Sequence, residues 1–106
     1  MTATVHTITI GNKRRNDRGI YIGRPSALGN PFVIGRDGDR AAVIRKYEAW
    51  LAEQLKSAKS AASIELRRLA QQAAQRDICL VCWCAPEPCH GDIIKRAIEQ
   101  LLGFRR

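Results

Sequence analysis

The sequence has no long hydrophobic run: no stretch approaches the roughly 20 consecutive apolar residues that a membrane-spanning helix needs. The first residues, MTATVHTITIGNKRR, contain no apolar segment behind a basic start, so we expect no secretory signal. Internal repeats and low-complexity linkers are also absent. With 106 residues and 45% apolar content, the chain is predicted to form one domain over residues 1–106, located in the cytoplasm and not bound to a membrane.

Cysteine is absent from most of the chain, and the four cysteines, Cys79, Cys82, Cys84 and Cys89, all fall in one short segment. A stabilising disulfide framework would distribute its cysteines along the sequence, and the cytoplasm keeps thiols reduced. The cluster is therefore predicted to supply thiols or metal ligands.

Known phosphate-binding loops are absent too, since the sequence has neither a Walker loop nor a G-x-G-x-x-G fingerprint. The stretch GRDGDR, residues 35–40, has some likeness to a calcium loop but lacks the full series of ligands and the distal glutamate. We interpret it as a turn followed by a helix cap.

Acidic residues are few: 10 Asp and Glu oppose 18 Lys and Arg, which gives a net charge of +8. Between positions 13 and 36 the sole acidic residue is Asp17, and the basic residues are Lys13, Arg14, Arg15, Arg18, Arg24 and Arg36. A positive surface of this kind favours an anionic partner such as a nucleotide, a nucleic acid or an acidic protein. Simple solubility is the alternative explanation of the charge.

Three segments have the pattern of strands. Residues 4–10 (TVHTITI) alternate apolar and polar side chains, and residues 20–23 (IYIG) are short and β-branched. Residues 78–84 (ICLVCWC) form an apolar run typical of a strand buried on both faces, with helices above and below the sheet.

Three helices are predicted from apolar spacing. The first spans about residues 40–56, with Asp39 or Asp37 as its cap. The second, across residues 62–73, has a thin alanine-rich face that predicts a single packing neighbour, and the third begins near Cys89. The order of elements predicts the α/β class, with a small, at least partly parallel sheet and three helices in a single compact domain.

The segment CWCAPEPCHGD, residues 82–92, carries the strongest functional signal. Alternation along a strand would place Cys82 and Cys84 on one face, direct Trp83 away, and put Cys79 on the opposite face as a core residue. The loop then brings Cys89 and His90 to the start of the last helix, beyond the carboxyl end of the strand. Ligands usually bind at this edge of an open α/β sheet.

Two functional interpretations of this segment remain open, beside simple packing of cysteine as a small apolar residue. Cys82, Cys84, Cys89 and His90 would suit tetrahedral zinc, provided that the helix starts after His90. Alternatively, Cys89 and His90 form a reactive or anion-binding site, because a helix N-terminus favours negative charge and a thiolate. Asp92 would then orient His90 or contact a substrate hydroxyl.

A second candidate site lies in RPSALGNPF, residues 24–32. Arg24 offers a planar fork for phosphate, and Asn30 carries both a donor and an acceptor for a base or ribose. Ser26 and Phe32 complete the predicted substrate-binding residues. A bend built by the asparagine and the proline after it is the structural alternative.

Taken together, the motifs GRP, GNPF, Y-x-x-W-L and C-W-C-x-P-x-x-C-H-G-D resemble the family catalogued as domain of unknown function 4326, over roughly residues 7–102. The family is found in bacteria and phages, so the resemblance implies a phage or mobile-element origin. It implies no established activity. It also implies a defining pattern that contains Arg24, Asn30, Pro31, Phe32, Cys82, Cys84, Cys89, His90, Gly91 and Asp92.

The sequence therefore predicts a small domain that binds or modifies a nucleotide or nucleic acid, where residues 24–32 meet residues 82–92. Arg24 would hold phosphate, Asn30 would position the substrate, and the predicted catalytic residues are Cys89, His90 and Asp92. The alternative is a non-enzymatic zinc-binding module for nucleic acid or protein, and a third hypothesis is an adaptor or inhibitor of another protein.

Overall fold

The structure, a computed structural model, describes residues 6–15, 17–83 and 89–103. In order, these residues form β1 (Ile8–Asn12), a 3-10 turn (Lys13–Arg15), β2 (Ile20–Tyr21), α1 (Arg40–Leu55), α2 (Ala61–Ala73), β3 (Ile78–Cys82) and α3 (His90–Leu101). Their order is the predicted one, so the α/β class with three helices is confirmed. The start of the first predicted strand and the end of the third, including Cys84, lie outside the described residues.

Strand β3 occupies the centre of the sheet and pairs in parallel with both β1 and β2. In this register Ile8 lies beside Ile78, and Asn12 lies beside Cys82. The described part of the sheet is thus parallel throughout, which confirms the predicted sheet type. Since parallel strands end at the same edge, the segments that follow all three strands start from that edge.

The even-numbered strand residues face the helices. Four of them, together with Ile22 directly after β2, belong to the hydrophobic core with residues of all three helices: Ile8, Ile78, Leu80 and Cys82. On the other face of β3, Val81 is buried and Cys79 is half-buried. The segment between β1 and β2 approaches this face, because Asp17 and the Cys79 sulfur both lie close to Gly11. The predicted burial on both faces is therefore only partly observed, and a loop lies on the face where we expected a second layer of helices.

Helix α1 begins after Asp39, whose carboxylate accepts a hydrogen bond from the Ala42 amide at 2.8 Å, as predicted for the cap. Tyr47, fully buried on this helix, donates its hydroxyl hydrogen to the Leu28 carbonyl at 2.7 Å. This bond ties α1 to residues 22–39, a stretch described throughout that contains neither helix nor strand.

Helix α2 begins after Ser60, whose hydroxyl accepts from the Ser63 amide at 3.1 Å. Its buried side chains are mostly alanine and leucine, and the helix contacts both α1 and α3. Our expectation of a single neighbour was therefore wrong, because small side chains let two helices approach the same face. Among the residues placed in the structure, none of the helices combines the length and apolar character needed to cross a bilayer.

Candidate functional site

An open cleft of about 450 Å³ lies at the carboxyl edge of the sheet. Its walls come from the ends of β2 and β3, the loop at residues 22–39 and the starts of α1 and α3. The predicted site residues that line it are Arg24, Asn30, Phe32, Cys82, Cys89 and His90. The structure therefore brings the two candidate sites, which lie about 50 residues apart in the sequence, to one place.

The loop at residues 22–39 owes its shape partly to Asn30. The side-chain carbonyl of Asn30 accepts from the Phe32 amide at 2.9 Å, and its amide nitrogen lies 3.5 Å from the Val43 carbonyl. Asn30 thus helps to build the bend, which agrees with the alternative interpretation that this residue has a structural role. Asn30 still borders the cleft, with its side-chain oxygen already hydrogen-bonded within the loop.

Ser26, in contrast, does not line the cleft. Its backbone amide donates to the Gly23 carbonyl at 2.8 Å within a turn. Its hydroxyl oxygen is buried and has no hydrogen-bond partner in the described part of the chain. The structure therefore does not place Ser26 with the other predicted substrate-binding residues.

The sulfur atoms of Cys82 and Cys89 lie 3.1 Å apart at the floor of the cleft. Cys82 is the last residue of β3, and Cys89 is the extended N-cap residue of α3, so the strand end and the helix start bring them together. They are 1% and 2% exposed, respectively. Cys79 is only half-buried, so our prediction of Cys79 as the core cysteine was wrong: the helices cover the face that bears Cys82.

His90 is the first residue of α3 and is held by a hydrogen bond between its Nε2 and the Ile22 carbonyl at 2.8 Å. A carbonyl only accepts, so Nε2 carries the hydrogen, and Nδ1 holds the lone pair of the neutral ring. The ring also stands edge-on to that of Tyr47, with centroids 5.1 Å apart. Burial, followed by the charge of Arg24, lowers the pKa of His90, while the Ile22 carbonyl opposes that shift.

Asp92 is exposed and does not line the cleft. Its carboxylate accepts from the Cys89 amide at 3.2 Å, while the Cys89 sulfur accepts from the Gly91 amide at 3.3 Å. The Asp92 carboxylate forms one half of a capping box at the start of α3, and the Cys89 side chain completes the box by accepting from the Asp92 backbone amide. Asp92 thus positions Cys89. The negative charge of Asp92 also lies at the positive N-terminal end of the α3 dipole, the end that would attract an anion.

The cleft residues that were not predicted as site residues include Tyr21, Arg40 and Trp83. The Tyr21 hydroxyl donates to the Arg24 carbonyl at 2.8 Å and accepts from the Trp83 indole nitrogen at 3.1 Å. We expected Trp83 to point away, but β3 ends at Cys82, so strand alternation no longer applies. The sequence signal that could have identified Trp83 is the position of an aromatic residue directly after the carboxyl end of a strand.

Within residues 6–15, 17–83 and 89–103, no three Cys, His, Asp or Glu side chains are arranged to hold a metal ion. Cys84, a member of the predicted zinc set, lies outside these ranges. Helix α3 begins at His90, whereas the zinc hypothesis requires a later start. A zinc site in this segment would therefore depend on Cys84.

The family model described as "Domain of unknown function (DUF4326)" matches residues 5–100. A protein of Enterobacteria phage T4, described as an uncharacterized 12.4 kDa protein in the nrdA-td intergenic region, is 33% identical over 91 residues. The alignment covers 85% of this chain and 76% of the phage protein. No solved structure matches the chain. Because the family match spans the whole sheet and every described wall of the cleft, we conclude that this chain belongs to the DUF4326 family.

Proposed function

We propose that this protein binds a nucleotide, free or within a nucleic acid, in the cleft at the carboxyl edge of the sheet. The observation that carries the proposal is the meeting of arginine, exposed aromatic and buried Cys/His side chains around one cleft of about 450 Å³. These groups match the phosphate, the base and a reacting atom of such a ligand, respectively.

Arg24 and Arg40 supply the positive charge of the cleft. A guanidinium binds phosphate through two parallel N–H groups, which a lysine cannot do. Arg24 lines the same cleft as Cys89 and His90. A phosphate held by Arg24 would therefore lie beside Cys89 and His90.

Trp83 and Phe32 supply aromatic surface for a base. Trp83 is 48% exposed, which is unusual for so large an apolar side chain, and its hydrogen bond to Tyr21 holds the ring in place. Stacking of a base on an aromatic side chain contributes about 1–3 kcal/mol to binding and tolerates every base. Such a site would bind nucleotides with modest preference among bases.

Any modification of the ligand would use Cys89 and His90. Neutral His90 offers the Nδ1 lone pair as a proton acceptor, and a thiolate at Cys89 would be the nucleophile. Asp92 would act indirectly, by holding the Cys89 backbone through the capping box.

Thermal-shift and calorimetric titration with mononucleotides and single-stranded oligonucleotides tests the proposal. We expect Arg24→Ala and Trp83→Ala each to weaken binding about tenfold or more. The matched controls are Arg45→Ala, exposed on α1 outside the cleft, and Leu101→Ala, 55% exposed on α3; both should bind normally. Lack of binding across the panel, or equal losses in the controls, would contradict the proposal.

The thiol pair also supports a second candidate function, a zinc-binding module for nucleic acid or protein. Cys82 and Cys89 present adjacent sulfurs, and the Nε2–H bond of His90 to a carbonyl is typical of histidines that bind metal through the other nitrogen. Elemental analysis of purified protein separates the candidates. One zinc per chain, lost with the fold in Cys82→Ser/Cys89→Ser, supports the module; folded protein without zinc rejects it.

A further inference from the structure

We infer that Cys82 and Cys89 form a reversible dithiol–disulfide site, oxidised by hydrogen peroxide that enters through the cleft. This inference does not rest on nucleotide binding, because it uses only the two sulfurs and their access to solvent.

The geometry requires little movement. The sulfurs are 3.1 Å apart, about 1 Å more than the length of a disulfide bond. Cys82 ends a strand, and Cys89 has ordinary extended backbone angles, φ −148° and ψ 174°. Side-chain rotation can therefore close most of the gap between two residues that are seven positions apart.

Capping does not explain why residue 89 is a cysteine. The Cys89 sulfur accepts from the Gly91 amide, but a thiol is a weak acceptor, and Ser, Asp or Asn stabilise a helix start better. Packing alone would not require two sulfurs in contact at the floor of a cleft. A thiol pair that cycles between two oxidation states accounts for both features.

Cys89 is the residue that reacts first. Its sulfur accepts an amide hydrogen at the start of α3, and such a hydrogen bond stabilises a thiolate. At 1% and 2% exposure the two sulfurs suit a small oxidant such as hydrogen peroxide better than a bulky disulfide.

In the first step the Cys89 thiolate attacks one peroxide oxygen, the O–O bond breaks, and a sulfenic acid and a hydroxide ion form. Cys82 gives its proton to that hydroxide, and its sulfur then attacks the Cys89 sulfur. The S–S bond forms as the S–O bond breaks, and the released hydroxide takes up a proton. In total, two thiols and one peroxide yield one disulfide and two waters, and two equivalents of a thiol reductant reverse the oxidation.

Variants are needed to assign the bond, because all four cysteines fall between Arg76 and Lys95 in one tryptic peptide. The double variant Cys79→Ser/Cys84→Ser keeps only the proposed pair. After chelator treatment, and with a circular dichroism spectrum matching the wild type, brief peroxide exposure should remove the mass of two hydrogen atoms per chain. Dithiothreitol should restore that mass.

The matched controls are Cys82→Ser and Cys89→Ser in the same background, each with a single thiol. Neither should lose two hydrogens, and Cys82→Ser should gain oxygen at Cys89. If the double variant does not fold, the single variants Cys79→Ser and Cys84→Ser replace it. In each, the number of thiols that can be alkylated should fall by two after peroxide exposure. The inference would be overturned if the variant that keeps only Cys82 and Cys89 gained oxygen without losing two hydrogens. It would also be overturned if that variant were oxidised no faster when folded than when unfolded in urea.

Discussion

Helices α2 and α3 begin in the same way but with different chemistry. At α2 the Ser60 hydroxyl accepts from the Ser63 amide at 3.1 Å, and at α3 the Cys89 thiol accepts from the Gly91 amide at 3.3 Å. A hydroxyl is a good acceptor and a thiol a weak one. Capping therefore accounts for the residue that starts α2 but not for the residue that starts α3.

The two helices also differ in what surrounds them: α2 is surrounded by the apolar core, whereas α3 starts at the cleft. Helix α2 packs a face of leucine and alanine against α1 and α3, and Leu66 and Leu69 are fully buried. The first turn of α3 instead buries a thiol and an imidazole, both bordering the cleft. We infer that α2 serves the stability of the fold, whereas the start of α3 serves the cleft. The three predictions that follow test this contrast.

The largest expected effect is on the α2 side. Leu66→Ala should lower the free energy of unfolding by about 2–5 kcal/mol, because it removes a fully buried side chain and leaves a cavity. Urea denaturation measures the change. Ile64→Ala on the same helix, where the side chain is 54% exposed, should cost less than about 0.5 kcal/mol. Equal losses in the two variants would show that α2 does not anchor the core.

The next effect is the loss of stability in acid that buried His90 should cause. Burial lowers the pKa of His90 in the folded chain below the ordinary value of 6.5, so the unfolded chain takes up the proton first as pH falls. Stability should be complete above about pH 6.5 and then decline by up to about 1.4 kcal/mol per pH unit, until the folded-state pKa is reached.

Denaturation midpoints between about pH 7.5 and 5 measure this decline. His90→Gln, whose amide can still donate to the Ile22 carbonyl, should flatten the profile. A His90→Gln profile as steep as that of the wild type would assign the decline to other groups.

The smallest effect compares the two caps directly. Ser60→Ala should cost about 1 kcal/mol, because the Ser63 amide loses its acceptor. Cys89→Ser should change stability by less than that, since a hydroxyl replaces a weaker acceptor, yet it should abolish disulfide formation. A loss of several kcal/mol in Cys89→Ser, measured by the same urea titration, would mean that the thiol is required for packing.

Much of the fold was predictable because its signals are local. Apolar spacing and the Asp39 cap predicted a helix over about residues 40–56, and α1 is observed at Arg40–Leu55. The strand at residue 78 followed from a short apolar run, and the order of elements implied a parallel sheet. The approach of the segment between β1 and β2 to the second face of β3 was not predictable, because it depends on where a polar loop packs.

The candidate site was predicted in part. The meeting of residues 24–32 with the Cys/His segment followed from their positions next to strand ends, and six of the predicted residues line the cleft. Their roles remain predictions. Tyr21 and Trp83 were missed because the hydrogen bond between them joins residues 62 positions apart in the sequence. Asp92 lies outside the cleft because its carboxylate caps the start of α3 through a local bond to the Cys89 amide.

Local periodicity and cap residues were thus enough to predict the helices and the strands, since these depend on neighbours within a few positions. Among the three described cysteines, packing decided that Cys82 and Cys89 are buried and that their sulfurs meet. Strand alternation separates Cys79 from Cys82 but does not say which face the helices cover. The contact of Cys82 with Cys89 arises where α3 docks on the sheet, and docking is driven by burial of apolar area from distant parts of the chain.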